Sequence, residues 1–247
     1  MAGIAVSLVC RFVEGLNIGL VLLSADYSVV GMNGFASRTL SLPPSELGKP
    51  VLQYHAPKSR DNVSHLLMET LKEPSGAPVA MIIDVLSKVL MISVSKLEMT
   101  ASFSRPLFVA SFVDVTAQTG ATVNPRSGLI KLKKFPIYDK KDLLFLDARS
   151  IYVFAADKNY CRVFSGEGKY YMQLTLKQVL QRCTEPGFLM VHKSYVVNLE
   201  HVSEIRRNRG QYSIVFDKED IPHVPVARRR QNPLKAALGL VRDLGAD

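Results

Sequence analysis

Between two series of β-rich apolar runs lies a stretch with little apolar content, DVTAQTGATVNPRSG, residues 114–128. Its Thr, Gly, Asn, Pro and Ser favour turns and loops over packed elements, so it separates two folding units instead of extending one. The expected organisation is a first domain over residues 1–117, a linker over 118–130 and a second domain over 131–247. At 247 residues the chain is long enough for two modest domains. A hydrophobic content of 47% with 21% charged residues marks globular material, since a disordered chain buries far less.

Charge divides at the same place. Residues 1–125 carry nine Lys or Arg and nine Asp or Glu, which leaves 22 of the 31 basic and 13 of the 22 acidic groups for residues 126–247. The whole net charge of +9 therefore belongs to the second half, and such asymmetry points to a polyanionic partner for that half. The three cysteines, Cys10, Cys161 and Cys183, are far apart and form no C-x-x-C pair. That argues for a reducing compartment and against a zinc ribbon or a disulfide framework. The apolar N-terminus, MAGIAVSLVCRFVEGLNIGLVLLSADYS, lacks a basic leading region, and Arg11, Glu14 and Asn17 interrupt it. A signal peptide is not expected, and no apolar run reaches membrane-spanning length. The expected location is the cytoplasm, with no membrane partner.

In the first domain, GLVLLSADYSVVGMN predicts two short strands, 18–24 and 27–32, turning at Ala25-Asp26. NGFASRTL and PPSELG predict short helices, with Gly48 stopping the second. SRDNVSHLLMETLKE places Val63, Leu66, Leu67 and Leu71 at helical spacing. The runs PVAMIIDVL, KVLMISVSKLE and PLFVASFVDVT then predict three more strands. Two strands, short helices, a longer helix and three strands make an α+β domain, a five-stranded antiparallel sheet with its helices on one face. This order, with the opening GLVLLSADYSVVGMNGFASRTL, resembles a PAS domain. PAS domains are sensory pockets that hold cofactors, small ligands or nothing, so the fold by itself assigns no task.

The second half is mostly strand: DLLFLDA, SIYVFAADKNYCRVFSG, KYYMQLT, FLMVHKSYVVNL, VSEIRRN, QYSIVFD and HVPVAR, with turns at RNRGQ and DKED. Only LTLKQVLQRC and NPLKAALGLV read as helices. A basic, mostly-β domain suits nucleic-acid binding first. FLMVHKSYVVNLEHVSEI, residues 188–205, resembles the signature of LytTR DNA-binding domains through Phe188, His192, Lys193, Ser194, Val197 and Asn198. The resemblance covers roughly residues 131–240 and implies double-stranded DNA as partner, read by loops between strands. Carried over by motif, the contact positions are Asn159 and Tyr160 in one loop, Lys193 in a second and Arg229 in a third, flanked by Arg228 and Arg230. Arg forks onto guanine edges and clustered cations neutralise phosphates, although a run such as ARRR is in isolation more often a solvated face. His192 reads as a structural hydrogen-bonding residue. Lys193 stands where the family usually has Arg, which keeps the charge and loses the bidentate fork.

One histidine calls for explanation. In VLQYHAPKSRDNVSHLL, His55 precedes Ala56-Pro57, and that proline biases the chain to turn there. From the residues alone, a turn or capping histidine is the commoner case, and Met81, Met91 and Met99 suit core filling. His65 and Met99 are rival ligand candidates. Together with PVAMIIDVLSKVLMISVSKL, this segment resembles the RcoM family, CO-responsive haem transcription regulators with a PAS domain and a LytTR domain. The resemblance implies haem b, with His55 as one axial ligand and Met81 as the ligand of the ferrous state. A soft thioether prefers reduced iron and yields to a strongly back-bonding gas such as carbon monoxide. RcoM-like proteins also have a cysteine between helix and strand that ligates oxidised iron. The corresponding LKEPSGAPVA contains none, so thiolate ligation is not expected unless Cys10 supplies it.

No G-x-S-x-G, H-E-x-x-H or P-loop is present, and no enzyme is expected. The expectation is a single-component regulator in which CO displaces Met81 and the segment around 115–130 carries the change to the DNA-binding domain. AVSLVCRFVEGL is the candidate homodimer segment. The alternative is a haem-free PAS module that controls the LytTR domain through another ligand or a partner protein. A third reading, RNA binding, needs exposed stacking aromatics, for which Tyr170 and Tyr171 are the candidates.

Overall fold

A computed structural model describes residues 17–55, 60, 64, 67–68, 79–83, 86–97, 107–139, 142–157, 160–172 and 174–239. The chain forms two compact units that divide between Thr116 and Ala117.

The first unit is built on β1 (Ile18–Leu23), β2 (Val29–Met32), β3 (Val79–Ile83), β4 (Lys88–Leu97) and β5 (Leu107–Asp114). They pair antiparallel in the order β2-β1-β5-β4-β3, the five-stranded PAS sheet expected from the sequence. Burial alternates strictly along β1, as it does in a strand with one face on the core. Val21, Leu23, Leu90, Val94, Phe108 and Phe112 line that face and meet Ala36 of α1 (Gly34–Leu40) and the helical residue Leu67.

Asn33 binds the first helix to the sheet. Its side-chain oxygen accepts from the N–H groups of Leu20 at 3.0 Å and Ala36 at 2.9 Å, and its amide donates to the Ile18 carbonyl at 2.8 Å. It therefore caps α1 and completes the start of β1 with one side chain. PPSELG forms only a 3-10 turn over Pro44–Glu46. Its leading prolines lack N–H donors, and Gly48 with φ of +84° ends the segment before a longer helix is established.

The second unit contains β6 (Thr122–Val123), β7 (Ile130–Lys131), β8 (Lys134–Asp139), β9 (Asp142–Asp147), β10 (Ile151–Asp157), β11 (Tyr160–Ser165) and β12 (Lys169–Met172). After α2 (Leu176–Arg182) come β13 (Phe188–His192), β14 (Tyr195–Asn198), β15 (Val202–Asn208), β16 (Gln211–Phe216), β17 (Val224–Val226) and α3 (Gln231–Ala237). A five-stranded sheet, β12-β11-β10-β14-β13, and a three-stranded sheet, β15-β16-β17, carry most of the strands. Val153, Phe164, Val197, Ile214, Val224 and Leu234 belong to the core between these elements. The opening of α2 follows from a capping box in which Thr175 and Gln178 satisfy each other's backbone N–H.

Residues 118–130, a linker by composition, carry the β6–β7 hairpin and belong to the second unit. Leu132, directly after it, bridges to Cys183, and Arg182 reaches the Ile130 carbonyl at 3.3 Å. Polar composition specified turns here, while the anchoring partners lie about fifty residues away.

Candidate functional site

Tyr27 and the core hold the turn that ends at His55. The Val51 N–H donates to the Tyr27 carbonyl at 2.9 Å and begins a 3-10 turn over Val51–Tyr54. Val51, Leu52 and Tyr54 pack on the sheet, and the Tyr54 hydroxyl donates to a Glu46 carboxylate oxygen at 2.7 Å. Tyr27 itself sits in the left-handed region at φ of +61°, a strained position for a bulky residue. Its ring meets Phe108 at 5.3 Å, and its hydroxyl donates to the Leu67 carbonyl at 3.4 Å. One residue thus links the turn, the sheet and the helical segment. The role of Tyr27 is not visible in the sequence, because positive φ leaves no mark in a hydrophobic pattern.

His55 closes this turn in an extended conformation, and its carbonyl accepts from Arg60 Nε at 3.1 Å. The side chain is half-buried. Burial first, and then the neighbouring Arg60 guanidinium, hold the imidazole below its ordinary pKa of 6.5. That favours the uncharged ring with a free lone pair, the state in which imidazole ligates a metal. Among the described residues none hydrogen-bonds the ring nitrogens.

In β3 the position of Met81 is opposite Leu90, and Leu90 is opposite Asp114. Met81, Leu90 and Asp114 thus form one cross-strand row over β3, β4 and β5, and Leu90 is fully buried in the core cluster. Met91 is buried on the opposite face of β4, where it fills packing space. His65, Met99, Cys10 and most of LKEPSGAPVA lie outside the described residues. Groups of three or more metal-ligating His, Cys, Asp or Glu are absent among the described residues. A site with one imidazole and one thioether needs no such group, so the donor set fits haem iron.

The second unit gathers cations at one end. β10 runs out at Asp157, opposite Tyr160, which is exposed; Asn159 between them is outside the described residues. The adjacent turn carries exposed Lys193, and Ala156 N–H donates to the Ser194 carbonyl at 2.9 Å, drawing the two loops together. His192 shapes that turn, for its Nδ1 accepts from Ser194 N–H at 3.2 Å. This is the structural part expected of it.

The third loop reaches the same end through Ala227, whose N–H donates to the Val191 carbonyl at 2.9 Å. A 3-10 turn, Arg228–Arg230, follows at once. Arg228 and Arg229 are exposed, and among the described residues no carboxylate pairs with them. The nearest acid in the first loop, Asp157, is already engaged by Arg162 at 2.6 Å. Tyr160, Lys193 and Arg228–Arg230 therefore converge on one surface with its positive charge largely uncompensated. By contrast, the exposed Tyr171 ring has the Arg162 guanidinium 5.6 Å from its centroid, leaving less free face for stacking a base. Three cations that the motif did not bring forward, Arg207, Arg209 and Lys235, also lie toward this end; the basic run RRNRG marks the two arginines in the sequence, and nothing comparable marks Lys235.

Fold and site together define a two-domain protein, a PAS domain followed by a LytTR DNA-binding domain. Residues 141–239 match the family model described as LytTr DNA-binding domain. The chain is 30% identical over 253 residues to the heme-containing CO-sensing transcriptional regulator RcoM 1 of Paraburkholderia xenovorans, covering 92% of this chain and 91% of that one. It is 28% identical over 226 residues to the CO-responsive transcriptional regulator RcoM of Rhodospirillum rubrum, covering 90% and 94%. A solved LytTr DNA-binding domain from Bacillus cereus aligns with a TM-score of 0.40 at 16% identity, over 43% of this chain and 97% of that one. This chain belongs to the RcoM family. No helix among the described residues is long and apolar enough to cross a membrane.

Proposed function

We propose that this chain is a cytoplasmic, homodimeric, single-component transcription regulator that binds haem b and changes its affinity for double-stranded DNA when carbon monoxide arrives. The observation that carries the reading is the half-buried His55 imidazole, whose ring nitrogens take no hydrogen bond among the described residues, in a chain whose relatives over nine-tenths of its length are named as CO-sensing regulators. Haem supplies a ferrous iron that takes CO. His55, at the end of the Val51–Tyr54 turn, would hold the haem through its imidazole, and Met81 would be the weaker, thioether donor. On this reading the chain's residues bind ligand and DNA, and no catalytic step is assigned to them.

The row Met81–Leu90–Asp114 suggests how release of Met81 is felt at the domain exit. Asp114 accepts from Lys88 Nζ at 2.6 Å and from Thr116 N–H at 3.0 Å. Thr116 Oγ1 in turn accepts from Val89 N–H at 2.9 Å. A displaced β3 therefore acts on β4 beside the residues that fix the end of the PAS unit. In the second unit, Lys193, Arg228 and Arg230 neutralise phosphates, while Arg229, Tyr160 and Asn159 contact bases.

Absorption spectra of the purified full-length protein test this directly. The expected result is a Soret band that His55→Ala removes, and a reduced spectrum that Met81→Leu alters while CO still binds. A colourless, folded wild-type protein after growth with haem precursor overturns the reading in favour of a haem-free PAS module. Coupling is reciprocal, so CO must bind the DNA-bound protein with altered affinity. Equal CO affinities with and without operator DNA would leave the two units uncoupled.

A further inference from the structure

We propose that the β15–β16 hairpin is a fourth DNA contact, in which Arg207 and Arg209 bind the phosphodiester backbone next to Arg228–Arg230. The inference rests on the second unit docking duplex DNA by its basic end, and it adds a loop that the family motif did not indicate.

Strand register supplies the geometry. Arg207 is opposite Tyr212, and Tyr212 is opposite Val226, two residues before Arg228. Both pairings are antiparallel, so the hairpin tip at Arg209-Gly210 points the same way as the chain leaving β17 toward Arg228–Arg230. Ala227 is bonded to Val191 at the Lys193 turn, so all these loops share one end of the unit. The opposite end of β16 leads into exposed Asp217, Glu219 and Asp220. Charge is thus segregated along this sheet, basic at one end and acidic at the other, and only the basic end attracts a polyanion.

The individual cations differ in a way that selects among them. Arg206 is held by Glu204, with Nε 3.0 Å from both carboxylate oxygens, and is neutralised. Arg207 has no such partner among the described residues. Its guanidinium lies 5.7 Å from the Tyr212 ring centroid, and Lys235 Nζ from α3 lies 5.3 Å from the same centroid. Two cations held near one ring leave this end of the sheet without a compensating carboxylate, and an anionic backbone supplies the missing charge. Arg209 has φ of +48° and Gly210 φ of +83°, the signature of a type I′ hairpin turn. Such turns favour Asn-Gly, so Arg at the first position costs local stability. A strained, exposed cation at the tip is unfavourable for folding and suited to a ligand.

The test uses the full-length protein and a labelled mixed-sequence duplex, with affinity followed across a salt series. Each phosphate contact adds about 0.9 to the slope of log affinity against log salt, so Arg207→Gln with Arg209→Asn is expected to lower the slope by about 2. The loss is expected to be equal for all sequences, since phosphates carry no base identity. Arg206→Gln, already neutralised by Glu204, leaves the slope unchanged. Arg209→Asn also installs the favoured turn residue, so its thermal midpoint rises or holds while binding weakens, which separates contact from folding. On the native chain, duplex protects Arg207 and Arg209 from phenylglyoxal. An unchanged slope in the double variant, beside a reduced slope in Arg228→Gln/Arg229→Gln, overturns the fourth contact and leaves DNA binding standing. Failure of the wild-type chain to bind duplex at any salt removes both.

Discussion

The ring of Phe112 lies against the backbone of Gly19, its register partner across β1 and β5. A Cβ at position 19 would fall 2.1 Å from Phe112 Cζ, so only glycine leaves room for the ring. Phe112 is buried and meets Phe35 of α1 at 6.3 Å between centroids. Gly19→Ala is expected to expel the ring and destabilise the first unit by about 1–3 kcal/mol, the usual cost of overpacking. Urea unfolding of the full chain checks this through a lower midpoint for the first transition. An unshifted midpoint shows that the ring has another low-energy place.

Asp114 links stability to pH. Burial alone would raise its pKa, but the Lys88 ammonium and the Thr116 hydroxyl and N–H outweigh burial and hold the carboxyl below its ordinary 3.8. A depressed folded pKa means that the unfolded chain takes up the proton first. The contribution of Asp114 is thus complete above pH 3.8 and is lost as pH falls through the folded value. Asp114→Asn is expected to flatten that part of the acid-unfolding curve, and because the pair is partly exposed the loss at neutral pH is about 1 kcal/mol or less.

His192 and Lys193 are adjacent and act differently. Without the imidazole that accepts from Ser194 N–H, the turn presenting Lys193 loosens, so His192→Ala is expected to weaken binding to all duplexes while the salt slope stays near its original value. Lys193→Gln removes a charge and is expected to lower the slope by about 0.9. Salt titrations of both variants separate the two effects. A changed base preference in His192→Ala would make it a reader instead.

Burial pushes the Cys161 thiol up to about 12 and the Cys183 thiol up to about 11. Both are expected to resist alkylation in the native chain under mildly alkaline conditions and to react on unfolding, because the thiolate is the nucleophile. Mass spectrometry before and after denaturation reads this. Fast native modification of either residue means that its surroundings open.

Much of the architecture is legible in the sequence through residue type. The apolar run over residues 18–23 and the β-rich runs over 79–83 and 88–97 specify strands, while Thr175 and Asn198 are residue types that cap α2 and the 3-10 turn after β14. Other features carry no such mark. The left-handed backbone of Tyr27, the bonds of Asn33 to Leu20 and Ile18, and the bridge from Leu132 to Cys183 depend on partners outside their own short window of sequence.

By itself, then, the sequence determined the division into two units, the placing of surplus charge in the second, and the RcoM-like histidine before Ala56-Pro57. Only the tertiary structure decided that His55 is half-buried, with burial pulling its pKa down, and that Tyr160, Lys193, Arg207, Arg209 and Arg228–Arg230 share one end. The reason is physical. Local pattern sets which face a side chain takes within its own element, whereas burial and convergence arise from long-range pairings such as Ala156 with Ser194 and Ala227 with Val191, which no short window of sequence contains.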